Sequence, residues 1–264
     1  MQLPVYHVDA FADCPFTGNP ASVVVLEHWL PDGLMQAIAA ENNLSETAFV
    51  VRSSSPMGLR WFTPRVEVPL CGHATLATAF VLRTILQGQT TDFAFDTKSG
   101  ILKVQETQQG FTLDFPAIPA TPDPSRLDQL SSILGSPVTE VHVAKDRYLC
   151  LLPSPEAVRH LRPDMAAIAA LPLPGLIVTS EGDCPDDITS RYFAPAKGVP
   201  EDPVTGAAHC VLAPFWAARL GRNRLQAYQA SQRGGRILCE VVRDRVLLTG
   251  RARLYMRGII ELED

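Results

Sequence analysis

Three side chains in this chain have the types and placements needed for proton transfer. Glu46 heads the run Leu44-Ser45-Glu46-Thr47-Ala48-Phe49-Val50, and strand alternation puts it on one face with Ala48 and Val50. A carboxyl group beside apolar neighbours loses water, which raises its pKa toward the range useful for acid/base work. An exposed glutamate at a strand end fits the same pattern. His73 follows Gly72 at the start of a predicted helix, where the positive end of the helix dipole disfavours an imidazolium. A neutral ring there can relay a proton; the competing reading is a histidine that caps its own helix. Asp202 precedes Pro203, so it is held extended, and Asp-Pro matches an N-cap followed by the first helical residue. Asp202 is then either a cap alone or a site anion held ionised by the dipole. Free N–H groups at the two helix starts would bind a carboxylate or a developing enolate oxygen, and Gly72 lets a ligand approach the backbone.

Other chemistry is less well supported. Cys71 and His73 are two apart, and on a helix such residues do not face each other, so they form a poor dyad unless the turn bends them together. Cys71, His73, His209 and Cys210 lack the spacing of a zinc site. Ser231-Gln232-Arg233-Gly234-Gly235 reads as a tight turn carrying a cation, either an ordinary hairpin loop or a place to hold an anion. No glycine-rich phosphate loop appears, so a nucleotide is not indicated.

The elements that must position these groups come in two copies. Arg60-Trp61-Phe62-Thr63-Pro64, Val68-Pro69 and Cys71-Gly72-His73-Ala74-Thr75 read against Arg191-Tyr192-Phe193-Ala194-Pro195, Val199-Pro200 and Asp202-Pro203-Val204-Thr205-Gly206, at a constant offset of 131 residues. Each copy runs from a strand through a proline turn into a helix. Short β-branched and aromatic runs bounded by turn residues predict strands over 5–10, 22–26, 47–51, 59–62, 92–95, 101–105 and 111–115. Helices are expected over 32–42 and from Gly72 to Gly88, with Gly88 suited to the position after the helix end. The second half predicts strands over 141–144, 148–152, 176–179, 190–194, 225–228, 237–242 and 246–248. It also predicts a helix within 155–171, and another from Asp202-Pro203 to Gly221 that Pro214 should kink or break. The run 252–262 could close a sheet in either half. Prolines 116, 119, 122 and 124 mark residues 116–124 as a linker. The expected lobes are 1–115, with 255–264 returning to it, and 125–254. Hairpin-spaced strands outnumbering helices argue for an α+β fold.

Composition sets outer bounds. The chain has 264 residues, 46% hydrophobic and 19% charged, enough to bury a proper core. A net charge of −5 argues against nucleic acid as a partner, which needs clustered Lys and Arg. Six scattered cysteines without a CxxC suggest reduced thiols and a cytoplasmic setting. The N-terminal residues carry no signal-peptide pattern, and the most membrane-like stretch, 165–178, is short and interrupted by Pro172 and Pro174, so no membrane is expected.

Several motifs resemble the phenazine-biosynthesis PhzF-like isomerase family: Val8-Asp9-Ala10-Phe11, Phe16-Thr17-Gly18-Asn19-Pro20-Ala21, Asn43-Leu44-Ser45-Glu46-Thr47-Ala48-Phe49, Val68-Pro69-Leu70-Cys71-Gly72-His73-Ala74-Thr75 and Gly198-Val199-Pro200-Glu201-Asp202-Pro203-Val204-Thr205-Gly206. They occur in the family's order across nearly the whole chain. The resemblance implies a diaminopimelate epimerase-like fold: two pseudo-symmetric lobes, each a β-barrel-like sheet around a central helix, with the site in the cleft between and the last strand returning to the first lobe. It implies Glu46 as the catalytic acid/base, His73 and Asp202 as supporting site residues, and Gly72, Thr205, Gly206 and Asn19 as substrate-binding positions. It further implies no metal or organic cofactor, a homodimer, and a small carboxylic acid substrate; the family's best-understood activity isomerises a dihydro-hydroxyanthranilate by moving a proton along a conjugated system. One departure stands out. Ala207 occupies the place where the family motif usually has serine, so one hydroxyl donor is missing. Related epimerases use one cysteine from each lobe; Cys71 matches the first, and Pro203, beside Asp202, stands in the second place.

The expected function is therefore a cofactor-independent isomerase led by Glu46. The alternatives are an amino-acid racemase or epimerase using Cys71, and a non-catalytic metabolite-binding protein on the same fold.

Overall fold

The computed structural model describes residues 1–262; Glu263 and Asp264, the last of the stretch expected to return to the first lobe, lie outside the described residues. The chain divides into two units. One holds Met1–Asp114 and the chain from Thr249 onward, and the other holds Phe115–Leu248.

The first unit is a sheet threaded by two helices. Its strands are β1 (Gln2–Ala10), β2 (Asn19–Leu26), β3 (Glu46–Val51), β4 (Met57–Phe62), the short β5 (Glu67–Val68), β6 (Asp92–Thr97), β7 (Gly100–Thr107) and β8 (Gly110–Pro116), which crosses the unit boundary, with a C-terminal strand, Ala252–Glu261. The C-terminal strand lies antiparallel to β1, and β1 antiparallel to β2. Next come β3, parallel to β2, and β4, antiparallel to β3. Then follow β6, parallel to β4, and β7 and β8, each antiparallel to its predecessor. A parallel pair cannot be joined by a tight hairpin and needs a crossover. Helix α1 (Asp32–Asn42) supplies it between β2 and β3, and α2 (Gly72–Phe80) between β4 and β6.

Helix α2 is the centre of this unit. Every residue from His73 to Ala79 is buried, as expected for a helix with no polar face. It packs against β1, β2, β3, β7 and the C-terminal strand. Thr75 and Thr78 satisfy their hydroxyls by donating back to the carbonyls of Cys71 and Ala74, at 2.5 and 2.7 Å. Beyond Phe80 the chain continues in a π-helical turn, Val81–Ile85. That wider turn shifts the exit, so the left-handed residue is Gln87 (φ 55°) and not Gly88. Gly88 is needed for close approach instead: a Cβ there would stand 2.8 Å from the Leu82 carbonyl oxygen. On the other side of the sheet, Met35, Ile38 and Ala39 of α1 pack with Leu3, Val5, Phe49 and Phe62.

The second unit repeats the same plan. Its strands are β9 (Thr121–Pro122), β10 (Glu140–Ala144), β11 (Arg147–Leu151), β12 (Gly175–Glu181), β13 (Ile188–Ala194), β14 (Val199–Glu201), β15 (Arg224–Gln229), β16 (Gly235–Val242) and β17 (Arg245–Gly250). From β9 through β10, β11, β12, β13 and β15 to β16, successive pairs are antiparallel, antiparallel, parallel, antiparallel, parallel and antiparallel. From the C-terminal strand to β7 the senses run identically. The duplicated segment is thus a repeat of topology as well as of residues: β4, β5 and α2 in one unit, and β13, β14 and α6 (Gly206–Leu220) in the other.

Several expectations change here. The helix expected within 155–171 is two short ones, α4 (Pro155–Arg159) and α5 (Met165–Ala169), because Pro163 interrupts it and Asp164 starts a new helix by accepting the Ala166 and Ala167 N–H groups at 2.9 and 3.0 Å. A further helix, α3 (Leu127–Leu134), is not among the expected ones. Residues 116–124 are not a free linker. The Ala117 N–H donates to the Asp244 carbonyl (2.8 Å), that of Ile118 to the Cys210 carbonyl (2.9 Å), and β9 pairs with β10. Pro122 is tolerated because an edge strand needs donors on one side only. Pro214 leaves α6 continuous for the same reason seen from the other side: it has no N–H for the Cys210 carbonyl four residues earlier, and Ile118 supplies one. The unit boundaries fall at 114/115 and 248/249, so residues 249–254, expected with the second lobe, belong to the first.

Candidate active site

In the first unit, Glu46 is the first residue of β3, opposite Ala21 of β2. The turn before it is fixed by Asn42, whose Nδ2 donates to Ser22 Oγ and Thr47 Oγ1, both at 3.1 Å. Asn43 closes α1 in the left-handed region, φ 47°, a conformation asparagine tolerates. Across from Glu46, Cys71 is the N-cap of α2, with extended backbone (φ −145°, ψ 110°). That extended residue removes the helical geometry that would keep positions 71 and 73 apart. Cys71 Sγ lies 3.5 Å from His73 Nδ1 and 4.0 Å from Nε2, so the turn does bend the pair together. His73 Nε2 in turn lies 3.1 Å from Glu46 Oε2, with side-chain exposures of 7% and 18%. The contact is a charge pair without the alignment of a hydrogen bond.

The electrostatics reverse one expectation. Burial pulls the His73 pKa down, but negative charge at Cys71 and Glu46 outweighs it, and the net lies well above the ordinary histidine value. Burial first, and then the Glu46 charge, push the Cys71 thiol up to about 11. At neutral pH Cys71 is therefore a thiol. The neighbours of His73 thus favour its imidazolium form, against the helix dipole.

The second unit builds a different cluster at the equivalent place. Helix α6 begins at Gly206 with Thr205 as its N-cap (φ −114°, ψ 99°). Asp202 and Pro203 therefore precede the helix and are not its cap and first residue. Asp202 acts one step removed: Thr205 Oγ1 donates to its Oδ2 at 2.6 Å. What displaces the helix start is Gln229, at the end of β15 and 1% exposed. Its Oε1 accepts the Thr205 N–H (2.8 Å), and its Nε2 donates to the Asp202 carbonyl (2.6 Å) and Thr205 Oγ1 (3.2 Å). Ser231 holds the same segment by donating to the Pro203 carbonyl at 2.8 Å, and it accepts the Gly234 N–H at 3.1 Å. The Ser231–Gly235 turn is thus a brace for the helix start. His209 is fully buried, and burial lowers its pKa to about 4, so it is neutral and its Nδ1–H donates to the Thr205 carbonyl at 2.8 Å.

The first unit thus brings Glu46 and His73 together, with Gly72 opening α2 beside them, and the second brings Asp202 and Thr205 together at Gly206. Asn19 begins β2 and is buried. Gly206 is not required sterically, since a Cβ there would make an ordinary 3.6 Å contact with Leu248. Ala207 is exposed at the second position of α6. Asn42 and Gln229 are positioning residues that motif reading passes over. Gln229 carries a signal nonetheless, as the polar member of an inward-facing series with Leu225 and Ala227.

Comparison with known proteins identifies the family. The profile of the family described as phenazine biosynthesis-like protein matches residues 8–258. A Pseudomonas aeruginosa protein described as an uncharacterized isomerase is 50% identical over 262 residues, 99% of this chain and 100% of that one. The crystal structure of an Enterococcus faecalis phenazine biosynthesis protein of the PhzF family superposes with a TM-score of 0.96 at 45% identity, covering 99% of this chain and 100% of that one. A probable proline racemase from Agrobacterium radiobacter, at 8% identity and a TM-score of 0.65 over 99% of this chain and 93% of that one, shares the fold alone. With its motifs, its repeated sheet-and-helix plan and these relatives, the chain belongs to the phenazine biosynthesis-like, or PhzF-like, family.

Proposed function

We propose that the chain is a cofactor-independent isomerase that moves a proton on a small carboxylic acid, with Glu46 as the acid/base. The observation that supports it best is the buried 3.1 Å pair of Glu46 Oε2 and His73 Nε2 at the start of α2. Glu46 takes a proton from a substrate carbon, and the electron pair left behind spreads into the conjugated acid as an enolate. The backbone N–H groups opening α2, which have no partner within the helix, and the His73 imidazolium stabilise the new negative charge. Protonated Glu46 then returns the proton to a different carbon. Asp202 is assigned a supporting role in the chemistry, and Thr205, Gly206 and Asn19 are assigned to substrate binding. Ala207 lacks the serine hydroxyl of the family motif, a loss of about 1–3 kcal/mol where that donor is buried against substrate, so the preferred acid differs from that of serine-bearing members. The working form is assigned as a homodimer; sedimentation as a monomer at assay concentration counts against that.

The test is solvent deuterium incorporation into a dihydro-hydroxyanthranilate and related unsaturated acids. Glu46→Gln is expected to slow exchange by about 10²–10⁴-fold; exchange at the wild-type rate removes Glu46 from the reaction. A second reading has one observation behind it, the 3.5 Å contact of Cys71 with His73: racemisation with Cys71 as base. A thiol held up to about 11 is a weak source of thiolate at neutral pH, and Cys71→Ser is expected to retain exchange.

A further inference from the structure

We infer that the second unit carries a carboxylate-binding site of its own, with the Arg147 guanidinium and the Tyr192 hydroxyl as its donors, at the place that answers to Glu46 in the first unit. The register of the two sheets fixes the correspondence. In the first unit Glu46 opens β3 opposite Ala21 of β2, and Trp61 of β4 stands opposite Ala48, two residues along the same face. In the second unit Gly175 opens β12 opposite Arg147 of β11, and Tyr192 of β13 stands opposite Ile177. Gly175 therefore takes the position of Glu46 with no side chain, and its neighbours fill the space. A Cβ on Gly175 would lie 2.5 Å from the Tyr192 hydroxyl oxygen and 3.0 Å from Arg147 Cβ. The same strand leads toward α6: the Tyr192 carbonyl accepts the Asp202 N–H at 3.1 Å.

A missing partner marks the place as a site. Arg147 is 7% exposed. Its Nε and Nη2 donate to Asp146 Oδ1 at 2.9 and 2.7 Å, but Nη1 is buried and has no hydrogen-bond partner among the described residues. The Tyr192 ring, 5.5 Å from the Arg147 Cζ, faces the charge without satisfying those N–H groups. A buried charged donor left unpaired is costly, and an anionic oxygen removes the cost. Asp146 cannot supply it, because its Oδ2 accepts Lys197 Nζ at 2.8 Å. Burial raises the Asp146 pKa, but the hydrogen bonds from Lys197 and Arg147 outweigh it and hold the group at about 2. Two cations against this one anion leave a positive charge over. Asp202, whose charge also reaches Tyr192, has its Oδ2 taken by the Thr205 hydroxyl. Burial raises the Tyr192 pKa, so the phenol keeps its proton and can donate it. One surplus charge and these donors fit a planar carboxylate, whereas a phosphate brings a second charge and further oxygens to pair. The Asp146 and Lys197 side chains, 35% and 45% exposed, form the solvent side of the cluster. Binding at Arg147 is independent of the isomerase reading; only the identity of the carboxylate as the substrate's own rests on it.

Sodium acetate is the probe, with acetamide as its neutral counterpart, titrated at constant ionic strength and neutral pH into the full chain isotope-labelled in its arginine side chains. The Arg147 side-chain NMR signals are assigned by their loss in Arg147→Lys, a variant that keeps a cation beside Asp146. Acetate is expected to shift these signals saturably, and acetamide to leave them in place. Tyr192→Phe, which removes a single oxygen, weakens acetate binding by about fivefold, and Gly175→Ala weakens it by displacing the same hydroxyl. Signals unmoved at about 100 mM acetate, or moved equally by acetamide, overturn the site. Arg147 signals that exchange with water and ignore acetate overturn it too, because an internal water then fills the place. The exchange assay with a dihydro-hydroxyanthranilate separates the two readings. Arg147→Lys is expected to raise KM by at least about tenfold, with a smaller effect on kcat. An unchanged KM in a protein that binds acetate at Arg147 overturns the assignment to substrate. Acetate binding in a wild type that exchanges no proton leaves the site standing and removes the isomerase reading.

Discussion

His73 and His209 lie near the starts of α2 and α6, both buried, and their proton affinities move in opposite directions. The sign of each contribution to stability follows from linkage. His73 binds its proton more tightly folded than unfolded. Its stabilisation is complete below the unfolded value of 6.5 and is lost as pH rises through the raised folded value. His209 falls from 6.5 to about 4, so the unfolded chain takes the extra proton first. Stability is then lost as pH falls from 6.5 to about 4, by about 3 kcal/mol, and no further below that. Urea unfolding across pH for wild type, His73→Asn and His209→Asn should show the alkaline slope flattened in the first variant and the acid slope flattened in the second. Slopes unchanged by either substitution would sink both assignments. At this scale the sequence is informative about Glu46, which sits at a recognisable strand start, and less so about charge state. The helix dipole suggests a neutral His73, but the carboxyl group 3.1 Å away comes from a strand 27 residues earlier, and no local pattern announces that pairing.

Helix starts show why residue pairs that look like caps can fail to be caps. Asp202-Pro203 has the composition of an N-cap and first turn, yet α6 waits until Gly206 because the Thr205 N–H is taken by Gln229 from another strand. Gln229→Ala leaves that N–H and the Asp202 carbonyl without their partner in a buried place. The expected loss is about 1–3 kcal/mol, read as a lower urea midpoint at unchanged m-value. Because Gln229 also fixes the hydroxyl that bonds Asp202, its alanine variant should raise KM more than Gln229→Glu, which keeps the acceptor for Thr205. Equal effects of the two would reduce Gln229 to a packing residue. A parallel exchange explains Pro214. A proline in a helix interior ordinarily costs about 3 kcal/mol, but here the carbonyl it would strand is bonded by Ile118. Ile118→Pro removes that donor without touching α6, and it should destabilise the second unit by about 1–3 kcal/mol in the same assay. The proline cluster at 116–124 reads as a linker in the sequence. Sequence composition does not reveal that this backbone is spent on the neighbouring helix.

The duplication is legible from one block of residues, but its extent is not. Outside 60–75 and 191–206 the two halves share no comparable string, yet seven strands in each unit repeat the same order and sense. Sheet order is set by which edges meet, and many apolar patterns satisfy the same edges, so the topology outlasts the sequence. The two copies differ in one respect that governs folding. The second unit is continuous, 115–248, whereas the first is closed only when the chain returns. Its β1 is held along its whole length by the C-terminal strand, from Gln2 opposite Glu261 to Ala10 opposite Ala252. Without that partner β1 presents an unpaired edge, while Leu3, Val5 and Val8 keep their apolar side chains to bury. A fragment of residues 115–248 should therefore fold alone and melt cooperatively by circular dichroism. Residues 1–114 should not, and they should associate at micromolar concentration. Adding a peptide of residues 249–262 in trans should restore a cooperative melt to 1–114, and Val5→Asp in the fragment should abolish the rescue. Cooperative melting of 1–114 without the peptide would mean that the returning strand is an ornament on a sheet already complete.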